Sequence, residues 1–203
     1  MVKAIVFDIG GVLIGLDMER CIHAFQDILG YERITQLLDP YHQKGIYGDM
    51  EGGLISADEF RSRVLAESRP GCRPADVDRC MGALLDGMTK DTVATVKALE
   101  TRYPLYLLSN NNPIAMGLIN AEFRRNGIDP ATTFKDQFIS SEMRLLKPSR
   151  EIYDAAVRRI GLPAGEILFI DDNHTNVAAA REAGLQVRLY VPGTLLSDLL
   201  ADC

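Results

Sequence analysis

Three positions in the chain place side chains that can bind a metal ion or a phosphate directly after an apolar run. Asp8, the pair Ser109-Asn110 and the pair Asp171-Asp172 each follow four consecutive apolar residues. Such runs are typical of buried strands in a parallel sheet, and ligands bind outside the carboxyl ends of those strands. We therefore expect these side chains to converge at one edge of a sheet.

Three carboxylates in one crevice predict a cation between them. Asp8, Asp171 and Asp172 would repel one another and partly protonate if nothing neutralised their charge. Carboxylates, carbonyls and waters are the ligands that Mg²⁺ takes, and the ion commonly shares its coordination shell with a substrate phosphate. The sequence therefore predicts a Mg²⁺ site at this edge of the sheet.

The other polar groups suit a phosphate that would bind beside this ion. Ser109 offers a hydroxyl and Asn110 offers amide donors, while Lys147, just before a predicted helix, offers a compact positive charge. A carboxylate close to both Mg²⁺ and a phosphate, here Asp8, can act as a nucleophile. The chemistry predicted is transfer of a phosphoryl group to Asp8, followed by hydrolysis of the aspartyl-phosphate.

Each of these groups also has a simpler structural interpretation. Asp8 can merely end a strand, the Ser-Asn pair can form a turn, and Lys147 before Pro148 can be a solvated surface lysine. The Asp171-Asp172 pair can cap the helix that follows it. The functional interpretation depends on the combination, because all of these residues occur in order at predicted strand ends.

Alternating strands and helices predict an α/β fold with a doubly wound, Rossmann-like parallel sheet. The connection after the first predicted strand is too long for an ordinary strand-to-helix loop. It predicts an inserted helical cap domain over residues 17–88, seated above Asp8. The core domain would then comprise residues 1–16 and 89–203.

Within residues 17–88, the pattern predicts helices and no convincing strand. Asp17 and Ser56 are typical helix N-caps, and apolar residues at helical spacing extend one helix to Met88. The glycine-rich stretch 41–54 is predicted to be a loop with little regular structure. Substrate specificity is expected in that loop.

Composition limits the classes of partner and compartment. The 203 residues carry a net charge of −6 without a Lys/Arg cluster, which disfavours nucleic-acid binding. The four cysteines show no metal-binding spacing and fit free thiols in a reducing cytosol. The first apolar run is interrupted by Asp8 and two glycines, so no signal peptide or membrane span is predicted there. We expect a cytoplasmic protein that binds a small phosphorylated metabolite.

The chain resembles the haloacid dehalogenase (HAD) superfamily, in the phosphatase branch with a helical cap that includes sugar-phosphate phosphatases and the phosphatase domain of epoxide hydrolases. The opening Phe-Asp-x-Gly-Gly-Val-Leu resembles the first family motif. The resemblance implies Asp8 as the nucleophile and a Mg²⁺ ligand, with the carbonyl of Gly10 as a second ligand. Leu-Ser-Asn resembles the second motif and implies that Ser109 binds the transferring phosphoryl group.

The third and fourth motifs are also similar to this sequence. Lys147 in Leu-Leu-Lys-Pro matches the third motif, whose lysine stabilises charge on the nucleophile and the phosphate. Ile-Asp-Asp-x-x-x-Asn resembles the fourth motif. It implies Asp172 as a direct Mg²⁺ ligand, with Asp171 and Asn176 acting close by.

One position departs from the phosphatase pattern. The family's general acid and base stands two residues after the nucleophile, where this chain has Gly10. Losing such a group typically costs roughly 10²–10⁴-fold in rate. Four residues of the inserted segment are candidates to supply the proton, although each can equally be an ordinary loop residue: His42, Tyr47, Asp49 and Glu51.

Three functions are compared on these observations. The leading hypothesis is a Mg²⁺-dependent phosphatase of small phosphate monoesters, most plausibly sugar phosphates. The second is a metal-independent haloacid dehalogenase, against which the Asp171-Asp172 pair argues. The third is a catalytically weakened phosphate-ligand sensor, which Gly10 favours and which the intact Asp8, Ser109 and Lys147 oppose.

Overall fold

The computed structural model describes residues 1–39 and 44–203. The strands are Ala4–Phe7 (β1), Gly15–Leu16 (β2), Leu85–Gly87 (β3), Leu105–Ser109 (β4), Phe134–Ile139 (β5), Ile167–Asp171 (β6) and Gln186–Leu189 (β7). The α-helices are Met18–Ala24 (α1), Ile34–Leu37 (α2), Gly45–Glu51 (α3), Ala57–Ala66 (α4), Pro74–Gly82 (α5), Lys90–Glu100 (α6), Pro113–Arg125 (α7), Pro130–Thr133 (α8), Ser140–Met143 (α9), Arg150–Ile160 (α10), His174–Glu182 (α11) and Leu196–Leu199 (α12). A π-helical turn, Phe25–Leu29, continues α1, and a 3₁₀ turn, Ala164–Glu166, precedes β6.

The central sheet has five parallel strands in the order β5-β4-β1-β6-β7. The chain moves outward from β1 to β4 and β5, and then crosses to the other side of β1 for β6 and β7. The strand order therefore reverses at β1, which places Asp8 at the switch point where open α/β sheets bind ligands. The predicted α/β fold with a doubly wound parallel sheet is confirmed.

Both faces of β1 are buried, which explains why its sequence is continuously apolar. Ile5 and Phe7 belong to the apolar cluster on one face of the sheet. Ala4 and Val6 belong to the cluster on the other face. Helices cover each face, as expected for a parallel sheet.

The inserted segment, residues 17–88, packs largely around a third apolar cluster. Phe25, Tyr31, Phe60 and Val77 are among its members, and all are at most 2 % exposed. Ile114 of α7 also joins this cluster, so the segment contacts the helix that follows β4. That the segment is a separate cap domain stays a prediction.

The predicted loop over residues 41–54 is wrong for residues 45–51. The chain forms helix α3 there, and Tyr47 packs edge-on against Phe60 of α4 with ring centroids 5.8 Å apart. This packing outweighs the low helix propensity of the glycines. Residues 40–43 lie outside the described residues.

The predicted helix through Met88 is also wrong beyond Gly82. Residues 85–87 form β3, which pairs antiparallel with β2, so the inserted segment does contain a strand. Arg20 supports this ribbon by donating to the carbonyls of Ala83 and Leu85 at 2.7 and 2.8 Å. The pairing joins residues about 70 positions apart, which helical periodicity alone does not detect.

The cysteines are all free thiols, as predicted. Cys21 and Cys80 are buried in the cluster of the inserted segment. Among the described residues, we find no helix with both the length and the apolar character that a bilayer crossing requires.

Candidate active site

Lys147 joins two of the predicted carboxylates in the interior of the protein. Its Nζ lies 2.9 Å from Oδ2 of Asp8 and 2.7 Å from Oδ2 of Asp171. The lysine is 2 % exposed, so it is not the solvated surface residue of the simpler interpretation. A buried ammonium requires compensating charge, and here carboxylates at the ends of β1 and β6 supply it.

The protonation of these groups reflects both burial and mutual attraction. Burial raises the pKa of Asp8 from 3.8 to about 7, although Lys147 opposes the shift, and the negative charge of Asp171 adds to it. Burial lowers the pKa of Lys147, but attraction to Asp171 and Asp8 outweighs burial and raises it overall. Lys147 is therefore cationic at neutral pH, and its charge opposes the protonation of Asp8 that burial favours.

Asp171 is fully buried and organises its neighbours. Its Oδ1 accepts from the backbone N–H of Asn173 at 2.8 Å, and the amide of Asn176 donates to both carboxylate oxygens at 3.1 Å. Asn173, and not the aspartate pair, caps α11 by accepting from the N–H of Thr175. The capping interpretation of the Asp171-Asp172 pair is therefore wrong.

Asp172 completes a cluster of three carboxylates. One oxygen from each of Asp8, Asp171 and Asp172 lies within 4.8 Å of the others. Burial, followed by the charge of Asp171, raises the pKa of Asp172 to about 6. The backbone at Gly11 approaches this carboxylate so closely, with φ +77°, that a Cβ there would overlap Oδ2, which requires glycine.

The cluster passes a chemical test for a hard divalent cation. Burial, followed by repulsion between the carboxylates, raises the pKa of Asp8 and of Asp172. Lys147 compensates only part of the negative charge, so a cation would relieve the repulsion. Nearby, Oδ1 of Asn176 is buried without a hydrogen-bond partner among the described residues. Carboxylate oxygens and an unpaired amide oxygen are the donor types that Mg²⁺ takes.

Ser109 and Asn110 have different surroundings at the end of β4. Ser109 is 2 % exposed and lines the cavity above Asp8. The Asn110 side chain accepts from the N–H of Lys147 at 2.8 Å and donates to its carbonyl at 2.9 Å. Asn110 therefore holds the backbone of Lys147, and its contact with phosphate stays a prediction.

Pro148 lies before, and not within, the first turn of the helix that follows Lys147. Helix α10 begins at Arg150 with Ser149 as its N-cap residue. Lys147 therefore stands in a segment that connects α9 to α10, where its Asn110 contacts fix it. The Lys147-Pro148 peptide bond is cis.

The Asp8 cavity is a pocket of about 110 Å³ that collects most of the predicted site residues. Asp171 is 0 % exposed and lies beneath its surface. The predicted residues that line the cavity are Asp8, Gly10, Ser109, Asn110, Lys147, Asp172 and Asn176.

The position of the missing general acid is filled by an apolar side chain. A Cβ on Gly10 would lie 3.2 Å from Cδ1 of Leu16, a residue of the β2–β3 ribbon that also lines the Asp8 cavity. Sequence reasoning did not find Leu16, and a lone leucine carries no signal for such a role. A proton for the leaving group must therefore come from another wall.

Glu51 is the carboxyl group of the inserted segment that lines the Asp8 cavity. Its carbonyl accepts from the Ser140 hydroxyl at 2.6 Å, which pins the end of α3 to the sheet edge. Next to it, Gly53 lies against the carbonyl of Ser141 so closely that a Cβ would overlap it. Burial, followed by repulsion from Asp8, raises the pKa of Glu51 to about 8.

The other proton-donor candidates are placed differently. Tyr47 lines the Asp8 cavity but is 1 % exposed, and burial raises its pKa well above the usual value, which weakens it as an acid. Asp49 lines a neighbouring cavity instead. His42 lies outside the described residues.

The sequence is similar to that of a known protein family and of a named phosphatase. A family model of haloacid dehalogenase-like hydrolases matches residues 2–184. A D-ribitol-5-phosphate phosphatase from Bacteroides thetaiotaomicron is 31% identical over 188 residues, which are 92% of this chain and 90% of the relative.

Solved structures show the same likeness. A HAD family enzyme from Bacteroides thetaiotaomicron, in complex with magnesium and inorganic phosphate, has a TM-score of 0.91 at 30% identity and covers 98% of this chain and 100% of its own. A HAD-like family hydrolase from Porphyromonas gingivalis has a TM-score of 0.89 at 30% identity, with 100% and 97% covered.

Proposed function

The chain belongs to the haloacid dehalogenase-like hydrolase family, and from that premise we propose that it is a Mg²⁺-dependent phosphatase of small phosphate monoesters, in particular sugar and sugar-alcohol phosphates. The observation that carries the proposal is the buried Lys147, which contacts Asp8 and Asp171 at the floor of a cavity that Ser109 and Asp172 also line. This arrangement pairs a nucleophile with groups that can hold phosphate and a divalent cation.

Three groups would hold the cation. They are the carboxylates of Asp8 and Asp172 and the backbone carbonyl of Gly10, all on the Asp8 cavity. Asp171 is saturated by Lys147, Asn173 and Asn176, so it acts by orienting them. When bound, Mg²⁺ would neutralise charge on the phosphoryl oxygens and favour in-line displacement.

Asp8 carries the phosphoryl group between two displacements. A carboxylate oxygen of Asp8 forms a bond to phosphorus while the bond from phosphorus to the ester oxygen breaks. Ser109 and Lys147 hold the phosphoryl oxygens in place during this transfer. Water then attacks phosphorus, the bond to Asp8 breaks, and inorganic phosphate leaves.

Glu51 supplies the proton that the leaving group needs. Glu51 lines the Asp8 cavity together with the residues that hold the phosphate, and its raised pKa keeps it protonated at neutral pH. In the first displacement it protonates the departing alkoxide. In the second it takes a proton from the attacking water, so the residue returns to its starting state.

The inserted segment acts as a cap over this site. Helix α3 brings Tyr47 and Glu51 to the Asp8 cavity, and the contact of Ser140 with Glu51 links that helix to the sheet edge. A cap of this kind excludes water from the phosphoryl-enzyme. The four free thiols fit a reducing cytosol, where we place the protein.

The proposed function is tested by phosphate release from a panel of sugar phosphates, sugar-alcohol phosphates and p-nitrophenyl phosphate. We expect turnover in Mg²⁺ and its loss in EDTA, with recovery when Mg²⁺ is restored. Turnover that persists in EDTA would contradict the metal requirement. If no compound is hydrolysed but Mg²⁺ and phosphate together raise the melting temperature, the protein is a phosphate-binding module instead.

The proton donor is tested by Glu51→Gln with two leaving groups. For an alkyl phosphate such as a sugar-alcohol phosphate, we expect kcat to fall about 10²–10³-fold, because an alkoxide leaves poorly without a proton. For p-nitrophenyl phosphate, whose leaving group is stable as an anion, the loss should stay below about fivefold. The wild-type rate with the alkyl substrate should decline above about pH 8, as Glu51 loses its proton, and the variant should lack that decline.

A matched control for this variant is Glu67→Gln. Glu67 belongs to the inserted segment but pairs with Arg33 at the surface, 2.9 Å away. The Glu67→Gln variant should hydrolyse both substrates at the wild-type rate. Equal losses with both substrates in Glu51→Gln would indicate a structural role for Glu51 and contradict its role as the acid.

A further inference from the structure

A second, larger cavity adjoins the Asp8 cavity. It has a volume of about 380 Å³, within the range of pockets that bind small molecules. Glu51, Asn110 and Lys147 line both cavities, so the two meet at the proposed proton donor. Arg144 and Asp49 line only the second one, which we call the Arg144 cavity.

The guanidinium of Arg144 is available to a ligand. The residue is exposed, and among the residues that the structure describes its side chain has no ion-pair or hydrogen-bond partner. Arginines such as Arg20 and Arg61 contact carboxylates or carbonyls. Others without such a partner among the described residues, such as Arg124 and Arg158, line neither cavity. An unpaired arginine in the wall of a cavity therefore points to a group that comes from outside the chain.

The backbone at Arg144 adds an independent observation. Its φ is +54°, and within residues 1–39 and 44–203 it is the one residue other than glycine with positive φ. Arg144 ends helix α9 in this left-handed conformation, where glycine is the usual residue because a Cβ crowds the backbone carbonyl. The position thus accepts backbone strain while retaining a guanidinium, and such strain is commonly found where a side chain serves function.

The charges of the cavity indicate which ligand it suits. Arg144 offers several donors, and Asp49, on the neighbouring α3 wall, offers acceptors. Hydroxyl groups can donate to the carboxylate and accept from the guanidinium at once. A second phosphate or a carboxylate would pair with Arg144 but would be repelled by Asp49. Lys147 also lines the cavity, but it is already paired with Asp8 and Asp171.

The α3 wall of the Arg144 cavity has little side-chain bulk, because Gly45, Gly48 and Gly52 line it. At Gly52 this wall lies close to Leu146, since a Cβ there would be 3.5 Å from Cδ1. A flexible, hydroxyl-bearing chain can lie along the other two glycines.

An in-line phosphoryl transfer places the leaving group away from the nucleophile. The Arg144 cavity meets the Asp8 cavity at Glu51, Asn110 and Lys147, so it can receive that group.

We infer that the Arg144 cavity binds the uncharged polyhydroxylated leaving group of the substrate, with Arg144 and Asp49 as its specificity-determining residues. The inference rests on the proposed phosphatase function and names the part of the substrate that this chain selects. The preferred substrates are then monophosphates of sugars or sugar alcohols without a second anionic group.

The test compares Arg144→Gly and Arg144→Lys with the wild type on a sugar-alcohol monophosphate and on p-nitrophenyl phosphate. Arg144→Gly removes the guanidinium but suits the positive φ, so the melting temperature should be unchanged or higher. We expect its kcat/KM to fall about 10–100-fold for the polyol substrate and less than threefold for p-nitrophenyl phosphate. Arg144→Lys should retain part of the activity, because it keeps a charged donor.

Two further variants complete the comparison. Asp49→Asn should lower kcat/KM for the polyol substrate, because it removes a hydrogen-bond acceptor. It should raise kcat/KM for a bisphosphate, because it removes the repelling charge. Arg158→Ala changes an exposed arginine of α10 that lines neither cavity. It controls for loss of surface charge and should leave every rate unchanged.

The outcomes separate this inference from the proposed function. If the wild type hydrolyses nothing, the phosphatase proposal fails whatever the Arg144 variants do. If the wild type hydrolyses the polyol substrate and Arg144→Gly does so equally well, the inference fails while the proposed function stands. If the Arg144→Gly variant loses more kcat/KM with a bisphosphate than with the polyol substrate, the cavity binds a second anion and the assignment to a polyol is overturned.

Discussion

Asp8→Asn will reduce turnover of every phosphate monoester by at least about 10⁴-fold, because an amide cannot replace the carboxylate that, in the proposed mechanism, accepts the phosphoryl group. The change is nearly isosteric, so the β1 strand end and its neighbours keep their places. Radiolabelled substrate quenched in acid should leave phosphate on the wild-type protein and none on the variant. The measurement thus reports both the rate and the covalent intermediate.

The same variant should not lose stability. Burial raises the pKa of Asp8, so the folded protein favours its neutral form, and this contribution to stability declines as the pH rises from about 4 to 7. A neutral amide avoids the decline, and Lys147 keeps its contact with Asp171. We expect a melting temperature at pH 8 equal to or above that of the wild type.

Asp27→Asn is a suitable control for the change of charge. Asp27 is exposed in the π-helical turn of the inserted segment, away from the described site. If Asp27→Asn keeps full activity while Asp8→Asn loses it, the loss comes from the position of Asp8 and not from the removal of one negative charge. If Asp8→Asn retains more than about 1% of wild-type turnover, another group is the nucleophile and the proposed mechanism is wrong.

Lys147→Met should cost both activity and stability. The variant leaves Asp8 and Asp171 buried without their shared cation, and breaking a buried ion pair from one side costs about 3–5 kcal/mol. Without Lys147, the pKa of Asp8 should rise further, since Lys147 opposes the effect of burial. Turnover at neutral pH should fall about 10²–10³-fold, because the phosphoryl group also loses an electrostatic partner.

The stability loss in Lys147→Met should depend on pH in a defined direction. Without Lys147, Asp8 has a raised pKa in the folded variant, so the folded state binds more protons than the unfolded state between the folded and unfolded pKa values of Asp8. The deficit should therefore be largest near pH 8 and should shrink as the pH falls toward 5. Urea unfolding without metal at the two pH values measures it.

The control for this change is Lys3→Met. Lys3 pairs with Glu166 at 2.9 Å on the surface, and its side chain is 56% exposed. Such pairs contribute about 0–1 kcal/mol, so unfolding should hardly change. A Lys147→Met deficit of the same size as that of Lys3→Met, or one independent of pH, would contradict the buried charge network.

The strand ends and the convergence of the site were predictable because they depend on local sequence. A strand buried on both faces must be continuously apolar, and its first polar residue marks the edge where ligands bind. Asp8, Ser109 and Asp171 follow such runs, and the parallel sheet brings them to one edge. Helix caps such as Asp17 and Ser56 were predictable for the same reason, since the side chain bonds to backbone within three residues.

Features that join distant segments were not predictable in this way. The β2–β3 ribbon, the contact of Ser140 with Glu51 and the hold of Asn110 on Lys147 connect residues separated by tens of positions. Periodicity within one segment carries no information about such partners. Helix α3 likewise forms in a glycine-rich stretch because Tyr47 packs against Phe60.

The sequence by itself determined the α/β fold, the residues at the strand ends and the chemistry that those residue types allow, because each follows from burial and composition within a short window. Only the tertiary structure decided how they are used. It buried Lys147 between Asp8 and Asp171, filled the space beside Gly10 with Leu16, and brought Glu51 to the junction of the two cavities. Each of these contacts joins segments that are far apart in the chain. The charge or the space that one element leaves is compensated by a side chain of another element, which a short window of sequence does not contain.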